Sequence, residues 1–506
     1  MIRHLAGFGA ALLPVAALAE TVLPSFAPVA VADHVYDGGW EHFVGGGVAV
    51  FDCNGDTLPE VFAAGGSNPS ALFINTTQDS LSFDRATPKT LALTGVTGAY
   101  PLDIDGDGLT DLAVLRVGPD LLLRGTGDCQ FTPFTDLGFE SGDHWTTAFS
   151  ATWEAGQRLP TLAFGTYVDR SNPDGPFEAC DANLLYRPDG DSYAAPVRLE
   201  PGFCALSILF SDWSRTGRAD LRVSNDRHYY VRGGQEQLWA MEAAPRLYGP
   251  EDNWQPYVIW GMGIASRDVT GDGFPEIYLT SMGDQKFQRF DPETGGPVWR
   301  DVTFDYGTTA HRPHTGGDGR PSTGWHAQFG DVTNDGRDDI FVAKGNVEQM
   351  PGLAMDDPNS LLQQTETGQF VEVSVTAGVA SLVRSRGAAL ADLNNDGLLD
   401  LVVANRRAPL EVYQNVTEAA GNWLAVSLVQ DGPNRKAIGS FIEVRTDAGV
   451  QVRELTIGGG HVSGQARPEH FGLGPNESAE LRIIWPDGTF GDWQRVTANQ
   501  LVQISR

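Results

Sequence analysis

The sequence predicts an all-β protein, a seven-bladed β-propeller with calcium-binding loops followed by a small antiparallel β domain. Three observations lead to this prediction. A short acidic motif recurs roughly every 50 to 60 residues, a period typical of repeat architectures such as propellers. Each copy lies between two short apolar segments of the kind that form strands. The chain also has 60 glycines and 30 prolines among its 506 residues, a composition that favours short strands joined by tight turns.

The acidic motif is clearest at Asp103, where the sequence DIDGDGLTD places acidic residues at positions 1, 3, 5 and 9. Four further copies and one degenerate copy start at Asp52, Asp268, Asp331, Asp392 and Asp212, respectively. The segment from Trp153 keeps the flanking apolar residues without the acids. About four short strands fit into each repeat, so these seven starts predict seven propeller blades.

The repeats also predict how the chain is divided. One blade cannot bury both of its faces, so the copies must stack around an axis and close into a ring. We expect the segment from Thr21 to Tyr36 to add a strand to the last blade and so to cover an exposed edge. The predicted boundaries are 1–19 for a signal peptide, 20–420 for the propeller and 421–506 for the C-terminal β domain.

The spacing of the acidic residues predicts calcium as the ligand of the loops. Side chains at positions 1, 3, 5 and 9 converge when such a loop folds back, and a backbone carbonyl near position 7 adds another oxygen. Calcium prefers six to eight hard oxygens and tolerates irregular geometry, whereas magnesium demands a stricter octahedron. Zinc would need His or Cys ligands, and Cys53, the one such residue in these loops, is expected to point away.

Ion-free Asp/Gly turns are the alternative interpretation, because Asp, Asn and Gly favour turns without any ligand. The repetition of one ligand spacing in five loops favours calcium. The predicted ligands are Asp52, Asn54, Asp56, Glu60, Asp103, Asp105, Asp107, Asp111, Asp268, Thr270, Asp272, Glu276, Asp331, Thr333, Asp335, Asp339, Asp392, Asn394, Asp396 and Asp400.

The seven loops are not expected to bind equally. The second loop, from Asp103, has four carboxylates and is predicted to be the strongest. The degenerate loop from Asp212 to Asp220 keeps only two carboxylates and is a candidate for an empty loop. The loop after Trp153 is expected to bind no ion.

A ligand-binding face is predicted opposite the acidic loops. If these loops join the first and second strands of each blade, the other connections lie on the opposite side of the ring. All seven histidines of the propeller region are predicted to lie there, at positions 34, 42, 144, 228, 311, 314 and 326. The candidate binding residues are Arg227, His228, Asp284, His311, His314, His326, Lys344, Arg406 and Arg407.

Arginine suits bidentate recognition of carboxylate, sulfate or phosphate, so a small anion is one expected ligand of this face. Its histidines could hold a transition metal, since His311 and His314 are three residues apart. The alternative is that these polar residues pair with acids of neighbouring blades or cap strand ends.

Composition and missing motifs limit the function classes. Acidic residues outnumber basic ones, 65 to 35, which argues against nucleic acid as a partner and suits a protein that binds cations. No familiar enzyme motif occurs in a credible setting. The sequence therefore favours an adhesion-like recognition protein that binds an extracellular or envelope protein, a glycan or a small anion. The alternatives are an enzyme at the same face, acting on a small anionic or metal-coordinating substrate, and a purely structural envelope protein.

The N-terminal residues predict export. Arg3 precedes an apolar stretch from Leu5 to Leu18, and Ala17-Leu18-Ala19 has the form of a signal-peptidase site, with cleavage before Glu20. A membrane anchor is the weaker alternative because the apolar stretch is short, and no transmembrane segment is predicted in the mature chain. We therefore expect a periplasmic or secreted protein.

Four cysteines, at positions 53, 129, 180 and 204, are compatible with two disulfides and allow three pairings. The pair Cys180–Cys204 is the first choice because both residues lie in one repeat-sized segment. Free thiols are the alternative.

The repeats resemble the FG-GAP or VCBS repeats of integrin-type propellers. The tail from residue 421, with GNWLAVSLV, NRKAIGSFIEV, GGGHVSGQ, HFGLG and IIWPDG, resembles the ASPIC/UnbV domain. Together they make the chain similar to the cartilage-acidic-protein-like family over nearly all of its mature length. It departs from that pattern at Lys436, where an acidic residue is usual, and at His461, where an aromatic residue is usual. The resemblance implies a seven-bladed propeller with calcium in its loops, and it implies no activity.

Overall fold

The computed structural model describes residues 22–172, 178–226, 233–255 and 257–506. The predicted signal peptide and the candidates Arg227 and His228 lie outside the described residues. Within them the protein is all-β: one short helix spans Ser374–Ala377, and three 3-10 turns span Trp40–His42, Pro250–Asp252 and Pro292–Thr294. No helix of the described residues has the length and apolar character needed to cross a bilayer.

The strands up to residue 415 form meanders of four antiparallel strands. We number these sheets 1 to 7 in chain order, and sheets 2 and 3 are joined by pairing between Val117 and Trp145. The N-terminal strand is β1 (Phe26–Val29), and sheets 1 and 2 consist of β2 (Val48–Phe51), β3 (Glu60–Ala63), β4 (Ala71–Asn75) and β5 (Phe83–Arg85), and of β6 (Val96–Leu102), β7 (Asp111–Gly118), β8 (Leu121–Gly125) and β9 (Phe131–Pro133).

Sheet 3 consists of β10 (His144–Thr152), β11 (Thr161–Thr166), β12 (Asn183–Tyr186) and β15 (Val197–Leu199), with the hairpin β13 (Pro188–Asp189) and β14 (Ser192–Tyr193) inserted, and sheet 4 of β16 (Ala205–Ser211), β17 (Asp220–Asn225), β18 (Gln237–Ala240) and β19 (Arg246–Leu247).

Sheet 5 consists of β20 (Gly261–Arg267), β21 (Glu276–Ser281), β22 (Lys286–Phe290) and β23 (Trp299–Asp301), sheet 6 of β24 (Gly324–Gly330), β25 (Asp339–Lys344), β26 (Ser360–Gln364) and β27 (Phe370–Glu372), and sheet 7 of β28 (Arg384–Ala391), β29 (Asp400–Arg406) and β30 (Glu411–Asn415).

The N-terminal strand completes the last of these sheets. β1 pairs antiparallel with β30, from Phe26 opposite Asn415 to Val29 opposite Val412. The predicted addition of a strand from the Thr21–Tyr36 segment is therefore confirmed. The pairing gives sheet 7 its fourth strand and covers the edge of β30.

The first strands of consecutive sheets lie side by side. Each first strand contacts the first strand of the next sheet, and β28 of sheet 7 contacts β2 of sheet 1. Apolar side chains fill the space between neighbouring sheets, as where Val48 and Val50 pack with Ala389 and Val402. Protein atoms surround the first strands on all sides, so these strands are almost wholly buried. Their residues are accordingly mostly apolar.

The tail from residue 421 forms two further sheets. Its strands are β31 (Asn422–Val429), β32 (Phe441–Thr446), β33 (Gly449–Glu454), β34 (Gly464–Ala466), β35 (Glu469–Gly474), β36 (Ser478–Ile484), β37 (Gln494–Thr497) and β38 (Gln500–Ser505). One sheet has the order β33-β32-β36-β37 and is antiparallel, and the other has the order β35-β31-β38. Because β31 and β38 run parallel, the prediction of a purely antiparallel tail is wrong.

The segment from Ile457 to Ala466, which we call the axial segment, leaves the tail and lies among the first strands of the sheets. Its Gly459 N–H donates to Ile208 O at 2.8 Å, and its β34 pairs in parallel with β2. A Cβ atom at Gly47 would lie 1.8 Å from the carbonyl oxygen of Val462. The glycine immediately before β2 therefore makes room for the axial segment.

Two disulfides join the four cysteines, Cys180–Cys204 and Cys53–Cys129. The predicted first pairing is confirmed. The expectation that Cys53 points away from its loop is wrong, because its Sγ lies 3.2 Å from Glu60 Oε2. That sulfur is committed to the disulfide, so it is no metal ligand.

Candidate functional site

Position 1 of each acidic loop folds the loop on itself. In the second loop, Asp103 accepts hydrogen bonds from the backbone N–H groups of Gly106 and Gly108 at 2.9 and 3.0 Å. Asp268 in the fifth loop accepts the equivalent bonds from Gly271 and Gly273, both at 2.8 Å. The Asp and Gly residues of the motif therefore share one local role, which is to close the turn.

Position 9 anchors the loop to its sheet. Asp111 accepts the N–H of Ile104, at position 2 of the same loop, and that of Gly125, at the end of the third strand of the sheet, both at 2.8 Å. Asp400 in the seventh loop does the same with Leu393 and Asn415, at 2.9 and 2.8 Å. This carboxylate is buried because it satisfies backbone donors inside the sheet.

Positions 3 and 5 of the second loop add two further carboxylates, Asp105 and Asp107. In the second loop, single oxygens of Asp103, Asp105 and Asp111 all lie within 4.8 Å of one another. Asp107 accepts the N–H of Leu109 at 2.8 Å and is outside this group of three. A compensating cation reaches the loop from outside it, since Arg124 Nε lies 2.9 Å from Asp105.

Burial raises the proton affinity of several of these carboxyl groups. Burial, supported by the charges of Asp105 and Asp103 and opposed by two backbone hydrogen bonds, raises the pKa of Asp111 to about 8. Burial likewise raises the pKa of Asp103 to about 6, with Asp107 adding to the effect. The same cause raises the pKa of Glu60 to about 7 and that of Glu276 to about 8. The environment of these carboxyl groups thus favours the neutral, protonated form over the charged carboxylate.

Amides and hydroxyls occupy position 3 in the other complete loops. Asn54 Nδ2 donates to Asp56 and Glu60 at 3.0 and 3.2 Å, and Asn394 Nδ2 donates to Asp396 at 2.8 Å. In the fifth loop the hydroxyl of Thr270 donates to Glu276 at 3.1 Å.

The sixth loop has the most deeply buried acids of the group. Asp331 and Asp339 are fully buried, and burial together with the neighbouring acid Asp335 raises the pKa of both well above its usual range. Arg337 Nη2 donates to Asp335 at 2.5 Å, so one of the three carboxylates has an internal cation.

The degenerate fourth loop keeps the turn and replaces the ligands. Asp212 still accepts the N–H groups of Thr216 and Gly217, at 2.9 and 2.7 Å. The hydroxyls of Ser214 and Thr216 bond each other at 3.0 Å. At position 9, Asp220 receives the guanidinium of Arg218 at 2.8 Å. An internal cation therefore supplies the positive charge that a bound ion would supply.

The loop after Trp153 follows the same rule with a different cation. Its Glu154 accepts the hydroxyl of Thr161 and the guanidinium of Arg187, both at 2.7 Å. Thr161 occupies the place of the position-9 acid, so this loop lacks the carboxylate pair of the others.

The donor chemistry of the complete loops fits calcium. Carboxylate, amide and hydroxyl oxygens are hard donors of the kind calcium selects, and the second loop brings three carboxylates together without any His or free thiol. That the second loop binds calcium most strongly stays a prediction. Calcium itself is absent from the observations above and stays a prediction.

The tail covers the side of the sheets that carries the acidic loops. Arg453 Nη2 donates to Asp338 of the sixth loop at 3.1 Å, in a fully buried pair. His470 Nε2 lies 3.0 Å from the carbonyl oxygen of Gly397 in the seventh loop. Sequence reasoning missed this contact because residues far apart in the chain make it.

Glu454 of the tail accepts the N–H of Asp212 at 2.7 Å, and burial raises the pKa of Glu454 to about 7. The fourth loop, which has lost its ligands, is thus tied directly to the tail.

The predicted cations of the opposite face are paired internally. Lys344 is buried and its Nζ lies 3.2 Å from Asp357. Arg406 is buried and donates to Glu348 at 2.6 Å and to the carbonyl oxygens of His42 and Gly38 at 3.0 and 2.9 Å.

Arg407 is part of the same network. It lies 2.8 Å from Asp37 and also contacts Glu348. Burial alone would raise the pKa of Glu348. The hydrogen bond from Arg406 and the charges of Arg407 and Arg384 outweigh burial and lower this pKa. Glu348 and Asp357 were not among the predicted site residues, and only their distance from these cations in the fold reveals their role.

The remaining candidates of this face are dispersed. Asp284 lies 2.7 Å from Lys286, and His314 lies 3.4 Å from Glu372. The ring of His311 lies beside Gly283.

His326 is in β24 rather than in a surface loop. It is buried and accepts the N–H of His461 in the axial segment at 3.1 Å, and burial lowers the pKa of His326 to about 4. The structure therefore gathers Arg406 and Arg407 but places His326 in the interior, apart from the other candidates.

Comparison with known families matches both parts of the chain. Residues 430–506 match the family described as ASPIC and UnbV. Residues 52–114 and 331–403 match the FG-GAP-like repeat. These matches include the first, second, sixth and seventh acidic loops.

Curated relatives cover a smaller part of the chain. Cartilage acidic protein 1 of Xenopus tropicalis is 32% identical over 113 residues, which are 21% of this chain and 17% of that protein. Cartilage acidic protein 1 of Homo sapiens is 29% identical over 109 residues, 21% of this chain and 16% of that protein. The chain thus matches less than a fifth of the length of either relative.

Among solved structures, the chain aligns with BBS1N in complex with ARL6DN, soaked with lead. It has a TM-score of 0.46 and 12% identity, and the match covers 79% of this chain and 99% of that chain.

Proposed function

Because this chain belongs to the cartilage-acidic-protein-like family, with FG-GAP-like repeats ahead of an ASPIC and UnbV domain, we propose that it is an exported, calcium-binding recognition protein. In this proposal its sheets form a seven-bladed β-propeller. The propeller recognises an extracellular or envelope partner through the face opposite its acidic loops.

The contacts between first strands support the ring. Each of sheets 1 to 7 touches the next through its first strand, and β28 returns to β2. The axial segment lies among these strands and bonds to several of them, through Gly459 to Ile208 and Gly460 to Ile264. A ring with a filled centre accounts for both observations.

The position of the tail is the reason for placing the recognition face on the side opposite the acidic loops. The tail packs on the acidic loops through Arg453, Glu454 and His470. A partner approaching the sheets from that side would meet the tail first. These three tail residues do not contact the ends of the sheets on the opposite side.

The chemistry of this opposite side suits a macromolecular partner. Trp40 is 42% exposed and packs edge-on against Trp145 at 5.1 Å between ring centroids. Arg407 lies in the adjoining ion-paired network. Aromatic residues and arginine are enriched at recognition interfaces. A small anion is favoured less, because Lys344 and Arg406 are buried and already paired.

Disulfides and calcium both suit an exported protein. The pairs Cys53–Cys129 and Cys180–Cys204 are of a kind that persists in oxidising compartments. Extracellular calcium modules bind with dissociation constants of roughly 10⁻⁴ to 10⁻³ M.

Site-specific photo-cross-linking tests the proposed face. The photoreactive residue p-benzoylphenylalanine replaces Trp40 in one variant and Ala448, an exposed residue of the tail, in a control variant. After irradiation on the cells that export the protein, we expect a discrete adduct from position 40 and none from position 448. An adduct from position 448 alone, or none from either, would contradict the proposed face.

A further inference from the structure

A cavity of about 700 Å³ lies between the tail and the acidic loops of sheets 1, 2 and 7. Its size falls in the range of small-molecule sites. It is on the side of the molecule away from the proposed recognition face, so a ligand here would be additional to the partner proposed above.

The sheet side of the cavity combines apolar side chains with polar residues of the acidic loops, among them Asp52, Asp103 and Asp392. Leu102 and Leu109 of sheet 2 line it together with Trp153. Leu109 is 41% exposed even though it lies beneath the tail. Leu109 thus presents apolar surface to the cavity, which a ligand bound there can cover.

The tail side of the cavity is one face of the sheet β35-β31-β38. Side chains alternate across a strand, and along β31 those of Leu424, Val426 and Leu428 enter the tail core. Trp423, Ala425, Ser427 and Val429 alternate with them and line the cavity, joined by Leu501 of β38. Leu501 is 46% exposed, so this face of the sheet lacks a full protein cover.

Three cations line the same cavity, and one of them, Arg467, donates to Gln465 and to the carbonyl oxygen of Pro468 at 2.5 and 3.0 Å. Arg435 and Lys436 are the other two, and both are exposed. Arg435 lies against the second acidic loop, with its Nε 3.3 Å from the place of a Cβ on Gly108. Among the described residues neither of these two exposed cations forms an ion pair with a carboxylate, in contrast to Arg406 and Arg407.

The carboxylates near the cavity are turned into their own loops. Both oxygens of Asp103 accept backbone N–H groups, and so do both oxygens of Asp52 and of Asp392. Glu469 lies 3.6 Å from Arg267. Of the charged residues that line the cavity, Arg435 and Lys436 are the exposed ones.

From this combination we infer that the cavity is a binding site for an amphipathic organic anion. Its hydrocarbon or aromatic body packs between Leu109, Trp153 and Leu501. Its carboxylate, sulfate or phosphate head bonds Arg435 and Lys436 at the edge of the apolar space.

Decanoate, with uncharged 1-decanol as its matched probe, tests the inference by titration calorimetry in the presence of calcium. Wild-type protein is expected to bind decanoate more tightly than decanol. The double variant Arg435→Gln/Lys436→Gln is expected to bind decanoate roughly tenfold or more weakly, because it loses charge-assisted hydrogen bonds. Arg495→Gln, which removes an exposed arginine elsewhere in the tail, is expected to bind like wild type.

A second pair of variants locates the ligand. Ser427→Phe places a large side chain in the cavity and is expected to abolish binding, whereas Ser427→Ala keeps the space and is expected to retain it. Thermal unfolding of each variant establishes that it is folded. Absence of decanoate binding to the wild type, or equal affinity of the wild type and the double variant, would overturn the inference. These results leave cross-linking at Trp40 unaffected, so the two proposals fail separately.

Discussion

The second and fourth acidic loops share one turn and differ in the number of carboxylates that they carry. In both, the Asp at position 1 accepts backbone N–H groups and the Asp at position 9 anchors the loop to its sheet. The second loop adds Asp105 and Asp107, where the fourth has Ser214 and Thr216. The fourth loop then supplies Arg218 to its buried carboxylate.

This comparison separates the acids that build the turn from those that call for an ion. The fourth loop keeps the acids at positions 1 and 9 although it lacks the acids at positions 3 and 5. The burial of the acids at positions 1 and 9 therefore does not by itself indicate calcium. Positions 3 and 5 add carboxylates, of which Asp107 accepts a backbone N–H of the turn and Asp105 pairs with Arg124 in the second loop. We propose that calcium from solution compensates the remaining carboxylate charge of the complete loops.

The largest expected effect is that of removing calcium from all complete loops at once. Addition of EGTA should lower the unfolding free energy by about 1 kcal/mol for each occupied site, and by several kcal/mol in all, if each site binds with a dissociation constant near 10⁻⁴ M at roughly millimolar calcium. Differential scanning calorimetry measures the change. A midpoint of unfolding unaffected by EGTA would remove the distinction between the two loops.

The next prediction concerns the pH dependence of the calcium-free protein. The pKa of Asp111 is raised to about 8 in the folded state, above its unfolded value near 4. The folded state therefore binds more protons than the unfolded state between these values, and stability falls as the pH rises through this window. Urea unfolding with EGTA at pH 5 and pH 8 should show the loss.

A matched variant and calcium itself provide the controls for this pH dependence. Asp111→Asn should reduce the slope, because the amide does not titrate, and should leave the part due to Glu60 and Glu276, whose pKa values burial raises to about 7 and 8. Calcium should flatten it in the wild type, since a bound cation favours the charged carboxylate. A slope that Asp111→Asn leaves unchanged would assign it to other groups.

Arg218→Ala tests the internal cation of the fourth loop. Asp220 is buried and would lose one partner while keeping the hydroxyl of Tyr248 at 2.9 Å. Because Arg218 is itself partly exposed, we expect a loss of about 1 kcal/mol. Calcium should not restore it, as Ser214 and Thr216 offer no carboxylates. Restoration by calcium would show that the fourth loop still binds an ion.

The smallest effect is expected at a pair on the other side of the sheets. His144 Nδ1 lies 2.6 Å from Asp181, and this hydrogen bond raises the pKa of His144. The contribution is complete below the unfolded pKa near 6.5 and disappears as the pH rises through the folded value. His144→Gln should remove this dependence, by less than about 1 kcal/mol, and calcium should not alter it. Dependence of this effect on calcium would mean that the two sides are coupled.

Local patterns in the sequence predicted the strands on either side of the complete acidic loops. The acidic motif identified the turn between the first two strands in the complete loops, and the segment after Thr21 was correctly expected to add a strand, as β1 does with β30. These features depend on short-range chemistry, such as Asp and Gly closing a turn. The pairing of Cys180 with Cys204 was also predictable because the two residues lie close in the chain.

Long-range contacts could not be predicted from these patterns. The axial segment contains GGGH, which suggests turns, yet it lies among the first strands, where Gly47 makes room for it. Arg406 suggested a free binding group, but Glu348, 58 residues away, pairs with it. The parallel pairing of β31 with β38 also joins distant segments. Each depends on closure of the fold, which no local spacing encodes.

Native mass spectrometry of the intact protein, prepared with calcium and without affinity tags, tests the central claim most directly. The account predicts bound calcium in the wild type, and one ion fewer in an Asp105→Ser/Asp107→Thr variant that gives the second loop the ligands of the fourth. An Asp212→Asn variant of the fourth loop should leave the count unchanged. Wild-type protein that carries no calcium, or an equal count in the wild type and the second-loop variant, would contradict it.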